Sequence, residues 1–199
     1  MYKQELGNNY LKLIIGPMFS SKSSSLLSEI NRYKYIVPNI LVINNSLDKK
    51  RYSESNNDFL KTHNNESFPA VMLENLSDLK SKPILLEKYL ISDVIIIDEA
   101  QFFKDLYVFI KNELNNTYQS KVFIIAGLSS DYKMEPIGDI IKLIPMADSI
   151  EKLSAICIYC KDGTPANFTK LIKKKENNKQ IIIGGKETFV PTCRKHFLI

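Results

Sequence analysis

The sequence predicts an α/β fold in which a parallel sheet carries helices on both faces and is followed by a small C-terminal metal-binding unit. Short apolar runs rich in β-branched residues alternate with segments of helical periodicity, and short connections join them, which is typical of parallel βαβ units. All three cysteines lie after residue 156, at spacings typical of metal ligands. We therefore predict two domains in the 199 residues, a sheet domain over 1–152 and a metal-binding domain over 153–199.

The composition argues against several classes of protein. The net charge of +5 is spread along the chain, and its densest cluster, residues 170–175, is explained by a solvated basic surface, so we expect no nucleic-acid partner. There is no run of about eighteen apolar residues and no charged-then-apolar leader, so we expect neither a membrane span nor a secretory signal. The predicted location is the cytoplasm.

A loop of small residues follows the first predicted strand, residues 11–15. Gly16, Lys22 and Ser23 match the pattern G-x-x-x-x-G-K-[ST], in which backbone N–H groups surround phosphate oxygens, the lysine supplies charge and the hydroxyl binds Mg²⁺. Ser21 occupies the position of the second glycine. Taken alone, the motif predicts either a phosphate-binding loop or a plain connection between a strand and a helix.

The other elements follow from hydrophobic periodicity. Helices are predicted at residues 20–35, 76–90 and 139–144. Strands are predicted at residues 40–43, 68–73, 94–97, 121–127 and 149–156. The polar segment 44–66 is predicted to be a long loop, whose Asp48, Arg51 and His63 are either phosphate or metal contacts or solvated residues.

An acidic pair, Asp98 and Glu99, follows a strand of four apolar residues in a row. Such a run indicates a strand covered on both faces, and the carboxyl end of a parallel strand is where open sheets bind ligands. Asp98 is expected to hold Mg²⁺ through water, and Glu99 to accept a proton from a nucleophile. The alternative is that Asp98 caps the following helix.

Two short pairs in the C-terminal part, Cys157-x-x-Cys160 and Cys193-x-x-His196, have the spacing at which two side chains reach one ion from a tight turn. Three thiolates and one imidazole make a closed tetrahedral zinc site, which is structural because it leaves no position for water or substrate. Free buried thiols are the alternative. The segment between the pairs, residues 168–189, is predicted to be a hairpin-like loop held at its base by the metal.

Together these stretches resemble the type II thymidine kinases, the zinc-containing class. GPMFSSKSS is similar to the phosphate loop of that family, DEAQFF to its catalytic segment, and CIYC and TCRKH to its zinc ligands. GLSSDYKMEPIG and IIIGG are similar to two segments around its nucleoside site. The resemblance covers nearly the whole chain and implies a P-loop NTPase-like sheet with a zinc-binding domain that carries a nucleoside-closing loop, called the lasso.

The resemblance implies transfer of the γ-phosphate of ATP to the 5′-hydroxyl of thymidine, with Glu99 as the catalytic proton acceptor and Ser23 and Asp98 at magnesium. The implied ATP-binding residues are Gly16, Pro17, Met18, Phe19, Ser20, Ser21, Lys22, Ser23, Asp98 and Gln101. The implied nucleoside-binding residues are Met18, Phe102, Leu128, Tyr132, Thr169, Ile181, Ile182, Ile183, Gly184 and Phe189. The family also implies a homotetramer and feedback inhibition by dTTP.

The chain departs from the family pattern at four positions, Ser21, Ser129, Ile137 and Phe189. Ser21 matters most, because a non-glycine residue in a conformation that favours glycine costs about 1–3 kcal/mol. This departure leaves an alternative open, a kinase-derived nucleotide-binding protein with weak or no turnover. The presence of Lys22, Ser23, Asp98 and Glu99 together favours an active kinase.

Overall fold

The structure, a computed structural model, describes residues 8–47, 59–61, 67–173, 180–182 and 184–199. The strands are β1 (Tyr10–Gly16), β2 (Ile40–Asn45), β3 (Phe59–Lys61), β4 (Ser67–Pro69), β5 (Val71–Leu73), β6 (Val94–Ile97), β7 (Val122–Leu128), β8 (Ser149–Lys152), β9 (Ala155–Ile156), β10 (Pro165–Ala166), β11 (Phe168–Leu171) and β12 (Phe189–Thr192). The α-helices are α1 (Lys22–Tyr33), α2 (Asp78–Ser81), α3 (Pro83–Ile91), α4 (Leu106–Leu114) and α5 (Arg194–Leu198), and 3-10 helices span Ala100–Phe102 and Ile140–Met146.

Six strands of the described ranges form one parallel sheet in the order β5-β2-β6-β7-β1-β8. Strand β1 lies inside this sheet, between β7 and β8. Because the strands are parallel, the segments that follow β1, β6 and β7 leave the sheet at the same edge. The predicted phosphate loop, the acidic pair and Leu128 therefore belong to one edge of the sheet, the edge at which open α/β sheets bind ligands.

Both faces of the sheet are covered. On one face, buried residues of α2, α3, α4 and the 140–146 helix pack against alternate residues of the strands, including Leu13, Ile95 and Phe123. On the other face, α1 packs its apolar side against Ile14 and Ile124. The predicted α/β sheet with helices on both faces is therefore confirmed.

The predicted element boundaries need several corrections. The helix predicted over 76–90 is divided into α2 and α3 at Lys82, whose backbone is extended because the next residue, Pro83, disfavours a helical conformation before it. The strand predicted over 68–73 is divided into β4, which pairs with β3, and β5, which joins the sheet. The helix predicted over 20–35 is shorter in the structure, where α1 spans Lys22–Tyr33. In place of the helix predicted over 139–144, the structure has a 3-10 helix over Ile140–Met146, which contains Pro145.

The strand predicted over 149–156 leaves the sheet after Lys152. The backbone N–H of Leu153 still bonds to Ile15 O at 2.8 Å, but Ala155 pairs with Ala166 in a separate two-stranded sheet. The predicted long loop 44–66 contains the last two residues of β2 and all of β3, and its Asp48, Arg51 and His63 lie outside the described residues.

The C-terminal part contains two antiparallel pairs, β9 with β10 and β11 with β12, followed by α5. The division into domains at residue 152 remains a prediction. None of the helices in the described ranges combines the length and the apolar character needed to cross a lipid bilayer.

Candidate active site and metal centre

The predicted phosphate loop lies between β1 and α1, as the motif requires. A Cβ atom at Gly16 would lie 2.6 Å from Ser20 Oγ and 2.8 Å from Leu153 O, so only glycine allows this close packing. The Lys22 ammonium donates to Pro17 O at 2.6 Å, and the Ser20 hydroxyl donates to the same carbonyl at 2.9 Å. The loop thus folds back on itself at the N-terminus of a twelve-residue helix, where the helix dipole favours anions.

Ser21 adopts a left-handed backbone conformation with φ 62°. Its carbonyl accepts the Ser25 N–H at 3.0 Å, whereas its exposed side chain makes no capping hydrogen bond to α1. The left-handed region costs a non-glycine residue about 1–2 kcal/mol. The position therefore does favour glycine, as the motif predicts, and the serine is strained there.

Asp98, which directly follows β6, and Ser23, in the first turn of α1, are brought together. The Ser23 hydroxyl donates to Asp98 Oδ2 at 2.8 Å, and Asp98 Oδ1 accepts the Glu99 N–H at 2.8 Å. Asp98 is buried, and its own N–H bonds to Ile43 O of β2. The 100–102 helix that follows has no side-chain cap, so the alternative role of Asp98 as a cap is not what the structure shows.

Glu99 also has a left-handed backbone, with φ 50°. Its Oε2 accepts the amide Nε2 of Gln101 at 2.5 Å. Strained non-glycine residues of this kind cluster at functional sites. The predicted proton acceptor is thus held in an uncommon conformation at the carboxyl edge of the sheet.

A pocket that is partly open to solvent is lined by Met18 of the predicted phosphate loop and by Phe102, which lies three residues after Glu99. Within the described residues, its lining includes the predicted nucleoside contacts Met18, Phe102, Leu128, Tyr132, Thr169, Ile181, Ile182 and Phe189. Ile183 lies outside the described residues. Gly184 is not part of the lining; it packs against Thr188, whose Oγ1 would be 2.4 Å from a Cβ at that position.

Four further residues line the pocket, Ser130, Asp131, Ile137 and Gln180. The buried Asp131 carboxylate accepts the N–H groups of Lys133 at 2.7 Å and Glu135 at 3.0 Å. An aspartate that begins a polar turn is a recognisable turn signal, which the sequence analysis did not use. Gln180 donates to Pro136 O at 2.9 Å, and no local pattern predicts this contact.

The four predicted zinc ligands lie together, with their ligand atoms within 4.8 Å of one another. His196 Nδ1 is 3.6, 3.3 and 3.4 Å from the sulfurs of Cys157, Cys160 and Cys193, and the last two sulfurs are 3.7 Å apart. A tetrahedral zinc site has S···S distances of about 3.8 Å and S···N distances of about 3.5 Å, given its usual bond lengths. The arrangement fits zinc, and it favours a metal site over free buried thiols.

The surroundings of Cys157 also favour a thiolate. Burial alone would raise the pKa of this thiol, but backbone N–H groups of Cys193, Cys160 and Tyr159 outweigh burial and lower the pKa to about 6. A metal-bound cysteine must be deprotonated. The backbone therefore favours a thiolate at Cys157, whereas burial and the neighbouring thiols raise the pKa of Cys160.

The metal centre is connected to the pocket through β11 and β12. In this antiparallel pair, Leu171 lies opposite Phe189 at the pocket, and Phe168 lies opposite Thr192, which precedes Cys193. The pocket-lining residues Thr169 and Phe189 thus belong to a short ladder that ends one residue before the metal ligand Cys193. A metal bound at one end of the ladder would fix the position of residues at the other.

A parallel sheet with the predicted phosphate loop after its first strand and an acidic pair at the same edge is typical of P-loop nucleotide-binding proteins, and this chain adds a C-terminal Cys₃His site. The chain belongs to the thymidine kinase family, whose family model matches residues 9–197. The sequence resemblance to thymidine kinases is thereby confirmed.

Individual relatives cover most of the chain. It is 37% identical over 187 residues to the thymidine kinase of Yaba monkey tumor virus, a match spanning 94% of this chain and 93% of that protein. It is 38% identical over 192 residues to thymidine kinase a of Arabidopsis thaliana, across 96% of this chain and 76% of that protein. The thymidine kinase of sheeppox virus is 37% identical over 191 residues, or 96% of this chain and 97% of that protein.

Proposed function

We propose that this protein is a thymidine kinase, which transfers the γ-phosphate of ATP to the 5′-hydroxyl of thymidine in the salvage of DNA precursors. One observation carries the proposal beyond family membership. Met18, from the phosphate loop, and Phe102, from the turn that follows Glu99, line the same pocket. A nucleoside in that pocket would therefore lie beside both the ATP phosphates and the proton acceptor.

We assign the phosphates of ATP to residues 16–23, where Lys22 supplies the positive charge. Phosphoryl transfer is catalysed mainly by positioning and by stabilising charge. Ser23 and Asp98 supply hydroxyl and carboxylate oxygens 2.8 Å apart, and oxygen ligands are the ones Mg²⁺ prefers. Bound with ATP, the ion would offset the charge on the transferred phosphate. Glu99 accepts the proton of the attacking hydroxyl.

Thymidine is assigned to the pocket formed by Met18, Phe102, Leu128, Tyr132, Thr169, Ile181, Ile182 and Phe189, with Ile183 and Gly184 completing the closing segment. Recognition by main-chain groups needs a loop that is held in place, which is the role we give to structural zinc. A homotetrameric assembly and inhibition by dTTP are further parts of the proposal, and they rest on the family resemblance. A cytoplasmic location is also proposed, on the sequence features given above.

The test is a direct assay of purified protein with ATP, Mg²⁺ and labelled thymidine, in which we expect thymidine monophosphate. Replacement of Glu99 by glutamine keeps the shape of the side chain but removes its basicity, and general bases contribute roughly 10²- to 10⁴-fold to rate. We expect a loss of that size in Glu99→Gln and none in Glu87→Gln, which makes the same change on the exposed surface of α3. Wild-type protein that gives no product above the blank would overturn the proposal.

A further inference from the structure

We propose that Gln101 is a positioning residue, which fixes the Glu99 carboxylate relative to the wall of the nucleoside pocket. The inference rests on the proposed function and adds a residue to its machinery. Gln101 is 3% exposed, and both ends of its side-chain amide are bonded within the protein. Its Nε2 donates to Glu99 Oε2 at 2.5 Å, and its Oε1 accepts the N–H of Leu128 at 2.9 Å.

The direction of the amide is determined by its partners. A backbone N–H is only a donor, so the Gln101 atom that faces Leu128 must be the oxygen. The NH₂ group must then face Glu99, whose carboxylate is an acceptor in its basic form. The opposite orientation would place two donors against each other at Leu128. Gln101 therefore presents an N–H specifically to the carboxylate that we assign as the proton acceptor.

The packing around Gln101 leaves little freedom to move. A Cβ at Gly127 of β7 would lie 2.6 Å from Gln101 Oε1. Gly138 has φ +59°, and a Cβ there would lie 2.2 Å from Gln101 O. Two glycines from separate segments thus make room for this one residue, one beside its side chain and the other beside its backbone.

These contacts join the proton acceptor to the substrate pocket. Leu128, whose N–H donates to Gln101, lines the pocket. Phe102, which follows Gln101 in the chain, also lines it. Glu99, in its left-handed conformation, is connected to the same wall through the Gln101 amide. The Gln101 side chain therefore contributes to the distance between the bound hydroxyl and the group that accepts its proton. A displacement of about 1 Å in such geometry can reduce a rate by roughly 10²-fold.

The family resemblance places Gln101 with the ATP-binding residues, and the contacts predict a different kinetic effect. A residue that binds ATP directly would change the KM for ATP when removed. A residue that acts through Glu99 would lower kcat and leave both KM values nearly unchanged, because its contribution appears in the transition state.

Two variants separate positioning from structural support. Gln101→Glu keeps the length of the side chain and an oxygen for the Leu128 N–H, but it replaces the NH₂ group with a second carboxyl oxygen, which disfavours the charged form of Glu99. Gln101→Met fills the same space without either bond. We expect kcat to fall by about ten- to a hundredfold in both variants, with the KM values for ATP and thymidine within about threefold of wild type.

The second readout is the combination with Glu99→Gln. We expect Gln101→Glu to have little further effect on kcat in the Glu99→Gln background, because a residue that acts through another loses its effect when that residue is changed. Thermal unfolding identifies variants that fail to fold; Gln101→Glu carries the test if Gln101→Met does not fold.

Failure of the proposed function can be distinguished from failure of the inference about Gln101. If wild-type protein has no turnover, the proposed function and this inference both fall. If wild-type protein is active and Gln101→Glu retains its kcat, only the inference is overturned, and the bond to Leu128 is then the whole role of the residue. A large rise in the KM for ATP with unchanged kcat would also overturn it, in favour of direct ATP binding.

Discussion

The backbone N–H of Met18 donates a hydrogen bond to Thr169 Oγ1 at 2.9 Å, across 151 positions of sequence. Met18 belongs to the phosphate loop, and Thr169 is a buried residue of β11 in the C-terminal part. Both residues line the pocket. The bond therefore connects the loop assigned to ATP with the strand that leads towards the metal centre.

We expect Thr169→Val to weaken this connection. Valine has nearly the same shape but no oxygen, so it leaves the Met18 N–H without its partner, at a cost of about 1–3 kcal/mol. The KM values for both substrates should rise, because we assign Met18 to both sites. Thr169→Ser, which keeps the hydroxyl, is the matched control and should remain closer to wild type. Equal kinetics for the serine and valine variants would contradict the prediction.

We expect Ser21→Gly to improve the phosphate loop. Glycine removes the left-handed strain, and after allowance for its greater freedom in the unfolded chain the free energy of unfolding should rise by about 0.5–1 kcal/mol. The kcat/KM for ATP should also rise. Urea unfolding and steady-state kinetics measure the two effects.

The control for Ser21→Gly is Ser28→Gly, the same substitution at an exposed position inside α1. Glycine in a helix interior is less favourable than serine by about 0.5 kcal/mol, so this variant should lose stability. If both variants shift stability in the same direction, backbone conformation at residue 21 is not the cause.

We expect about one zinc ion per chain by elemental analysis, lost in Cys193→Ser. Because β12 carries Phe189 at one end and leads to Cys193 at the other, loss of metal should raise the KM for thymidine more than that for ATP. Lys195→Ala, an exposed change on α5, should keep both the metal and the KM values. A metal-free preparation that is folded and fully active would refute the site.

The buried pair of Tyr89 and Glu113 predicts a pH effect on stability. Burial raises the pKa of Tyr89 above its usual value of 10.0, and the hydrogen bond that its hydroxyl donates to Glu113 raises it further. Above pH 10 the unfolded chain releases this proton while the folded chain keeps it, so the free energy of unfolding falls as pH rises. Tyr89→Phe should cost about 1–3 kcal/mol near neutral pH, and its difference from wild type should shrink above pH 10.

Tyr118→Phe is the control for this effect. Tyr118 is 98% exposed, so its removal should leave the free energy of unfolding nearly unchanged at both pH values. Denaturant unfolding at pH 8 and pH 11 checks both variants. A constant difference between Tyr89→Phe and wild type across that range would contradict the raised pKa.

The parts of the fold that local chemistry determines were predictable. Strand β6 was predicted at its observed bounds, because a strand covered on both faces must be apolar at every position. Cys157 and His196 were predicted as ligands of one ion because each has a second candidate ligand three residues away, Cys160 and Cys193 respectively. The division of the helix at Pro83 was missed although its signal was present.

Other features depend on contacts between distant segments. The orientation of the Gln101 amide towards Glu99 depends on the position of the Leu128 N–H on β7. The hydrogen bond from Gln180 to Pro136 joins two loops. The departure of the chain from the sheet after Lys152 depends on the pairing of Ala155 with Ala166. No periodicity in the sequence encodes these partners.

The position of β1 in the sheet has a consequence for the order of events during synthesis. Its neighbours are β7 and β8, with Tyr10 opposite Val122 and Lys12 opposite Ser149, so neither partner exists when β1 leaves the ribosome. Such long-range pairing delays folding, and unpaired apolar strands are prone to aggregate meanwhile. The phosphate loop is translated before β7 and β8, yet it becomes organised only when both of these strands have been made.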